Sequence, residues 1–153
     1  ASSVSLLQNA AVCEYHLRAE AERKSGVNDA AWALIDNLSK LKIDSKTNVI
    51  SFCVSRFNQA VLYTRVGHVE KAVELYRYVF DKRSELPTVL AVRSAFAYAR
   101  ACLYTKNIEG AVDAIEYLSH DQTASNIGKK VEGKVSSGEA PLGSMGYMST
   151  QQY

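Results

Sequence analysis

The sequence contains little proline and little cysteine, and each shortage excludes a class of protein. Only two prolines occur in 153 residues, and the first is Pro87, so no proline interrupts a helix in the first half of the chain. Cys13, Cys53 and Cys102 form an odd set without a CxxC motif, which argues against a disulfide framework or a zinc knuckle. Reduced thiols are the simplest interpretation, and the expected location is the cytoplasm, with the nucleus as an alternative.

Long apolar runs and a large excess of one charge are also missing. The longest uncharged stretches before residue 121 are Ala1–Cys13 and Thr47–Ser55, and both fall short of the roughly 20 residues that span a membrane. No basic segment leads into an apolar one, so we expect no signal peptide. The net charge of +2 is too small for a protein that coats nucleic acid or binds membranes through a polybasic surface.

Catalytic and metal-binding motifs are absent as well. The sequence has no HExxH, GxSxG, GxGxxG or P-loop motif. Its three histidines, His16, His68 and His120, lie far apart along the chain. We therefore predict a non-catalytic protein that needs no metal and no cofactor.

Composition divides the chain into two regions. Residues 1–120 hold three of the eight glycines and keep a helical spacing of apolar residues throughout. Residues 121–153 end in a polar Gly- and Ser-rich stretch that buries too little apolar surface to offset its ordering entropy. We predict a helical domain followed by a mostly irregular, flexible tail. The alternative for the tail is a short amphipathic helix with Ile127, Val131 and Val135 on one face, which the glycines between them oppose. The chain lacks an initial Met, so we expect it to be part of a longer protein.

An internal repeat is the main feature of the first region. Apolar residues at offsets 0, 3, 4 and 7, which form one helical face, recur in three places that begin at Val27, Val69 and Ile108. The three sets are Val27, Ala30, Ala31 and Leu34; Val69, Ala72, Val73 and Tyr76; and Ile108, Ala111, Val112 and Ile115. A repeat spacing of about 40 residues is typical of stacked helical units.

A further helix precedes each of these sets. Helical spacing extends over Ser3–Arg23, Lys46–Val66 and Thr88–Lys106, with the mid-helix alanines Ala11, Ala60 and Ala99. Small residues on both members of a pair allow the two backbones to approach closely. Turn and cap residues agree with this arrangement: Gly26, Asn28, Ser45, Gly67 and Pro87. We predict an all-α fold, an α-solenoid of about three antiparallel helix pairs.

The middle repeat, Arg56–Tyr76, resembles a tetratricopeptide repeat. The small residues, the tyrosine, the turn glycine and the aromatic of that motif correspond to Ala60, Tyr63, Gly67, Ala72 and Tyr76. The third repeat matches at Ala99 and Ala111 but has Cys102 and Lys106 where the motif has tyrosine and glycine. The resemblance implies a right-handed superhelix of helix pairs.

Three stretches carry a more specific resemblance: Leu7–Tyr15, Phe57–Tyr63 and Ala111–Leu118. With these stretches the chain is similar to the tetratricopeptide subunit, subunit ten, of the CCR–NOT mRNA deadenylase complex. The resemblance implies a non-catalytic scaffold that acts in mRNA deadenylation, mRNA decay and translation regulation. The partners that it implies are the eleventh subunit of that complex and its large central scaffold subunit.

The inner wall of such a superhelix is where partners usually bind. Arg93, Phe96 and Arg100 are spaced to share one face of a first helix, and Phe57, Val61 and Arg65 occupy the corresponding face of the preceding one. We call these six residues the predicted concave face. A surface of arginine and phenylalanine suits an acidic or aromatic peptide, through charge-assisted hydrogen bonds and apolar contact.

Two alternative functions remain open at this point. One is an RNA-contacting solenoid that uses Arg56, Arg65, Arg93 and Arg100 together with exposed tyrosines, giving a weak RNA contact. The other is a co-chaperone-like module that binds C-terminal peptides, although Phe57 stands where such modules have a clamp lysine.

Packing explains the cysteines and most aromatic residues more simply than chemistry does. All three cysteines lie in predicted helices among apolar neighbours, and we predict that they fill the core. Helical spacing also predicts packing between helices, rather than base stacking, for a set of six aromatics: Trp32, Tyr63, Tyr76, Tyr98, Tyr104 and Tyr117.

Overall fold

A computed structural model describes residues 2–22 and 29–120, and within this part every regular element is a helix. The six α-helices are α1 (Ser2–Glu22), α2 (Asp29–Lys40), α3 (Val49–Arg65), α4 (Val69–Asp81), α5 (Thr88–Tyr104) and α6 (Ile108–His120). The predicted all-α class is confirmed for this part of the chain. The predictions for Gly26, Val27, Asn28 and residues 121–153 lie outside the described residues.

Each helix packs against the next one along the chain, and α1 also contacts α3. The larger part of the core lies among α3, α4, α5 and α6 and includes Phe57, Val79 and Leu90. A smaller cluster joins α1, α2 and α3 through Tyr15, Leu34 and other buried residues. Half-buried Tyr63 packs against both clusters. The apolar core is therefore continuous along the series of helices.

The start of α3 differs from the prediction. The helix begins at Val49, with Asn48 at the N-cap position, rather than at Lys46 after a Ser45 cap. The reason is a turn held by Asp44, whose carboxylate accepts hydrogen bonds of 2.9 Å from the Lys46 backbone N–H and from the Thr47 hydroxyl. These bonds lower the pKa of Asp44 and delay the first helical turn by three residues.

The turn between α3 and α4 has the same backbone hydrogen bonds as the turn between α5 and α6. His68 N–H donates to the Tyr63 carbonyl and Gly67 N–H to the Thr64 carbonyl. At the equivalent positions of the next repeat, the Asn107 N–H donates to the Cys102 carbonyl and the Lys106 N–H donates to the Leu103 carbonyl. Both patterns are Schellman motifs, in which one residue past the helix takes a left-handed conformation. That residue is Gly67 at φ 87° in the first turn and Lys106 at φ 62° in the second.

The repeated alanines lie where the helices meet. Ala30, Ala60, Ala72, Ala99 and Ala111 are buried, and Ala11 is half-buried. Helix α6 approaches α5 closely at Gly110, because a Cβ there would lie 2.6 Å from Tyr98 Oη and 2.8 Å from Cys102 Sγ. Asn107 supports this approach by accepting a hydrogen bond of 3.1 Å from Gly110 N–H at its side-chain oxygen.

The two turns allow an opposed pair of substitutions. A side chain in the left-handed conformation costs about 1–2 kcal/mol relative to glycine, so Gly67→Ala is expected to lower the free energy of unfolding by about 1 kcal/mol. Lys106→Gly is expected to raise it by a similar amount, because it removes that strain. Urea denaturation measures both. Equal destabilisation by the two variants would contradict the assignment of a shared turn.

Overpacking tests the close approach of α3 and α4. Ala60 and Ala72 are both 0% exposed, so we expect Ala60→Leu or Ala72→Leu to lower the free energy of unfolding by about 1–3 kcal/mol. Ala10 is an exposed alanine of α1, and Ala10→Leu is the matched control, with an expected change within about 0.5 kcal/mol. Thermal melts of the three variants that coincide with the unsubstituted protein would show that the alanines are not at the helix contact.

Candidate functional site

The structure divides the predicted concave face into buried and accessible residues. Phe57 and Val61 belong to the core, with exposed fractions of 2% and 4%. Arg65 and Arg100 are exposed, and Arg93 and Phe96 are half-buried. In the described chain the accessible part of the predicted face therefore consists of its three arginines and one phenylalanine. Phe57 packs edge-on against Tyr76 with ring centroids 5.3 Å apart, which explains its burial.

Two of the arginines considered above are bound within the protein. Arg65 donates a hydrogen bond of 2.8 Å to the hydroxyl of Tyr15, and its guanidinium carbon lies 5.6 Å from the centre of that ring. Arg56 donates a bond of 2.6 Å to the Gln59 side-chain oxygen and lies 4.6 Å from the centre of the Phe52 ring. Arg65 therefore links α3 to α1, and Arg56 is held on its own helix.

Arg93 differs from both. Its Nε and Nη1 atoms are buried, and neither has a hydrogen-bond acceptor among the described residues. A buried guanidinium N–H without an acceptor is costly, and a carboxylate accepts such hydrogen bonds well because guanidinium and carboxylate geometries match. The spacing of Phe96 and Arg100 from Arg93 places all three on one side of α5. Together they offer a cationic and aromatic surface to an anionic group.

Two buried side-chain amides that were not predicted link the helices. Gln8 Nε2 donates to the Ser51 carbonyl at 3.3 Å, and Gln59 Nε2 donates to the Ile35 carbonyl at 3.4 Å. The Oε1 atom of Gln8 is buried without a donor in the described residues. The sequence does indicate the burial of Gln8. This residue lies three residues before Ala11 and seven before Tyr15, so it shares their face of α1.

The cysteines do not behave alike. Cys53 and Cys102 are buried, as predicted, but the prediction of a core position for Cys13 is wrong because its side chain is exposed. In α1 the buried face carries Gln8 and Tyr15, and Cys13 lies off that face. Burial raises the pKa of the Cys53 thiol to about 11 and also raises the pKa of Cys102.

Aromatic packing connects consecutive helices. Phe80 of α4 lies 5.4 Å from Tyr98 of α5 and 5.8 Å from Tyr117 of α6, measured between ring centroids. The Arg83 guanidinium covers both Phe80 and Tyr117, at 4.2 Å and 5.5 Å from the ring centres. Tyr98 is buried, and its burial raises its pKa to about 12. These rings are packing residues. Of the six aromatics considered above, Trp32 and Tyr104 are exposed.

The described residues do not form a metal cluster or a membrane span. No group of three or more His, Cys, Asp or Glu side chains in this part of the chain is placed to hold a metal ion. None of the described helices combines the length and the apolar character needed to cross a membrane.

A shallow depression between α4 and α6 is lined by Phe80, Asp81, Arg83, Asp113, Glu116, Tyr117 and His120.

Comparison with known proteins leaves the family open. No protein-family model, no curated protein and no solved structure matches this chain. The tetratricopeptide resemblance therefore stays a hypothesis that depends on the residues themselves.

Thiol labelling tests the different positions of the cysteines. The thiolate is the reactive form, so buried thiols with raised pKa values react slowly. We expect a thiol-specific reagent at pH 8 to label one cysteine rapidly and two only as the protein unfolds. Cys13→Ser should remove the rapid phase, whereas Cys53→Ser should leave it unchanged. A rapid phase that persists in Cys13→Ser would contradict the burial of Cys53 and Cys102.

Proposed function

We propose that this protein is a non-catalytic protein–protein interaction scaffold, an α-solenoid of the tetratricopeptide type. The proposal is supported by helices that pack in chain order and by the matching hydrogen bonds of the turns at Gly67 and Lys106. Such architectures offer an extended surface rather than a pocket. A scaffold of this kind acts by holding partners together and raising their effective concentration.

The assembly that we propose is the CCR–NOT deadenylase complex, with a role in mRNA deadenylation and turnover in the cytoplasm. This part of the proposal depends on the resemblance of Leu7–Tyr15, Phe57–Tyr63 and Ala111–Leu118 to subunit ten of that complex. The eleventh subunit and the central scaffold subunit are then the expected partners.

The single observation that carries the proposed binding role is the state of Arg93. Arg56 and Arg65 have partners within the protein, but the buried Nε and Nη1 atoms of Arg93 have no acceptor among the described residues. Both atoms are covered in the unbound protein, so a partner's carboxylate reaches them only when the guanidinium turns outward; it then forms charge-assisted hydrogen bonds and removes the cost of the unpaired N–H groups. Exposed Arg100 and half-buried Phe96 extend this contact along α5 for an acidic or aromatic peptide.

Binding and stability are expected to change in opposite directions when Arg93 is replaced. Arg93→Met removes two buried nitrogen atoms whose N–H groups lack acceptors among the described residues, so we expect the free energy of unfolding to rise by about 1 kcal/mol. The same variant is expected to bind the eleventh-subunit homologue about 10- to 100-fold more weakly, since a hydrogen bond to a charged group contributes about 1.5–3 kcal/mol. Pull-down and titration calorimetry measure the affinity, and urea denaturation measures the stability.

The matched control is Arg77→Ala, because Arg77 is an exposed arginine of α4 that lies 3.9 Å from Asp81. It should leave binding unchanged. If the complete protein recovers no eleventh-subunit homologue above background, the proposed assembly is wrong. An affinity for single-stranded RNA that falls steeply with salt, with no protein partner recovered, would instead support the RNA-contacting alternative.

A further inference from the structure

Most of the exposed large apolar side chains of the described chain lie on its last helix pair. Six of the ten belong to α5 and α6: Val89, Leu103, Tyr104, Ile108, Val112 and Ile115. The other four belong to α1 and α2, at the opposite end of the series of helices. A surface that concentrates apolar area in this way marks a site of interaction with another protein surface.

On α5 the accessible residues form one strip that contains two arginines. Its members are Val89, Arg93, Phe96, Arg100 and Leu103. Their spacings of four, three, four and three residues place them on one face of the helix. Arg100 is exposed, and Arg93 and Phe96 are half-buried. We call these five residues the cationic strip.

On α6 an apolar row and an acidic row run side by side. The apolar row is Ile108, Val112 and Ile115, and the acidic row is Glu109, Asp113 and Glu116. All six side chains are exposed, and α6 contains no lysine or arginine. We call these six residues the acidic strip.

The preceding helix pair indicates that the two strips adjoin. The repeat offset that relates the buried alanines of α4 and α6 also relates Phe57 to Phe96 and Tyr76 to Ile115. Phe57 of α3 and Tyr76 of α4 contact each other, with ring centroids 5.3 Å apart. Because the two hairpins share the same turn, Phe96 and Ile115 occupy the equivalent adjoining positions. The cationic strip and the acidic strip therefore form one continuous face of the α5–α6 pair.

We propose that a second copy of this chain covers this face and forms a two-fold symmetric dimer, in which α5 of each copy packs against α6 of the other. The two-fold axis runs parallel to the helices, between α5 and α6. Rotation about it places each cationic strip over the acidic strip of the other copy, so the same contact forms twice. Opposite charges then meet along the interface, and the apolar rows are removed from water.

The positions of the residues along the hairpin fit this pairing. A two-fold axis parallel to the helices preserves the distance of each residue from the turn at Lys106. Arg100 lies six residues before Lys106 and Asp113 seven after it, so the two are level to within about 1.5 Å. Phe96 lies ten residues before Lys106 and Ile115 nine after it. In each half of the dimer, therefore, an arginine meets a carboxylate and an aromatic ring meets an aliphatic side chain.

Charge favours this exchanged pairing over the alternatives. Packing α6 against α6 would bring two acidic rows together, and packing α5 against α5 would bring arginines together, and both arrangements are unfavourable. The ion pairs of the described residues lie elsewhere, at Lys40, Arg77 and Lys82. The dimer needs no other protein, so it does not rest on the proposed function. It covers Phe96 and Arg100, however, and therefore competes with the acidic partner proposed above.

The size of the face indicates a reversible dimer. Helix α6 has 13 residues and is about 20 Å long, and two helices side by side are about 20 Å wide. The face therefore covers about 400 Å² on each copy, which is at the low end of specific interfaces. A dimer of this size forms and dissociates as the protein concentration changes.

Sedimentation of the whole chain over a range of concentrations tests the proposal. We expect monomers that convert to dimers and to no larger species, because two-fold pairing closes the interface. Val112→Ser with Ile115→Ser should weaken the dimer at least about tenfold, since the pair of substitutions removes apolar area from the contact. The matched control is Leu17→Ser, which changes an exposed leucine of α1 and should leave dimerisation unchanged.

A charge exchange makes the test specific. Arg100→Glu alone and Asp113→Lys alone should each weaken the dimer about tenfold, because each turns an attraction into a repulsion at two equivalent contacts. An equal mixture of the two variants should form a heterodimer as strong as the unsubstituted dimer, since both contacts again join opposite charges. Lys46→Glu makes the same change of charge at an exposed position between α2 and α3 and should have no effect.

Three results would overturn the proposal. The first is a protein that stays monomeric at every concentration. The second is a dimer that is insensitive to Arg100→Glu and Asp113→Lys, which would locate the contact elsewhere, and the third is a series of species larger than dimers, which indicates head-to-tail association. Asp113→Lys leaves Arg93, Phe96 and Arg100 unchanged, so it should weaken the dimer without weakening the binding of the eleventh-subunit homologue. The two proposals therefore fail independently.

Discussion

The close approach of neighbouring helices is the constraint on which this structure depends. Small side chains make it possible, and each of α2 to α6 carries a buried alanine or glycine: Ala30, Ala60, Ala72, Ala99 and Gly110. Gly110 shows how little space remains, because a methyl group there would meet Tyr98 and Cys102 at less than 3 Å. Larger aromatic residues then fill the spaces to either side, as Phe80 does between Tyr98 and Tyr117. The small residues set how far the helices are separated, and the aromatics complete the core.

Much of this arrangement is readable in the sequence because it depends on spacing along a single helix. The buried face of α4 follows from apolar residues at offsets 0, 3, 4 and 7, but in α6 only Ala111 of the four is buried, and Ile108, Val112 and Ile115 are exposed. The limits of the elements are harder to predict. The start of α3 is set by the side chain of Asp44, which holds a turn by accepting hydrogen bonds from the Lys46 backbone N–H and the Thr47 hydroxyl. Helix propensity alone does not predict this turn. Lys106 departs from the repeat motif in sequence, yet it takes the same left-handed backbone conformation as Gly67.

The candidate site is less predictable, because arginines that look alike in sequence differ in what surrounds them. Arg65 reaches Tyr15, which is 50 residues away in the chain, and Arg56 is held by Gln59 and Phe52. Arg93 has no comparable neighbour for its buried nitrogens among the described residues. Periodicity places all three on helices but gives no information about contacts between helices. For the same reason the core positions of Phe57 and Val61 become visible only in three dimensions.

The matching turns at Gly67 and Lys106 have a consequence for how the chain can vary. Because the backbone leaves α3 and α5 through the same pair of hydrogen bonds, the two helix junctions are structurally equivalent. Duplication of the stretch from one junction to the next would therefore repeat a helix pair with the same turn and lengthen the series of stacked helices.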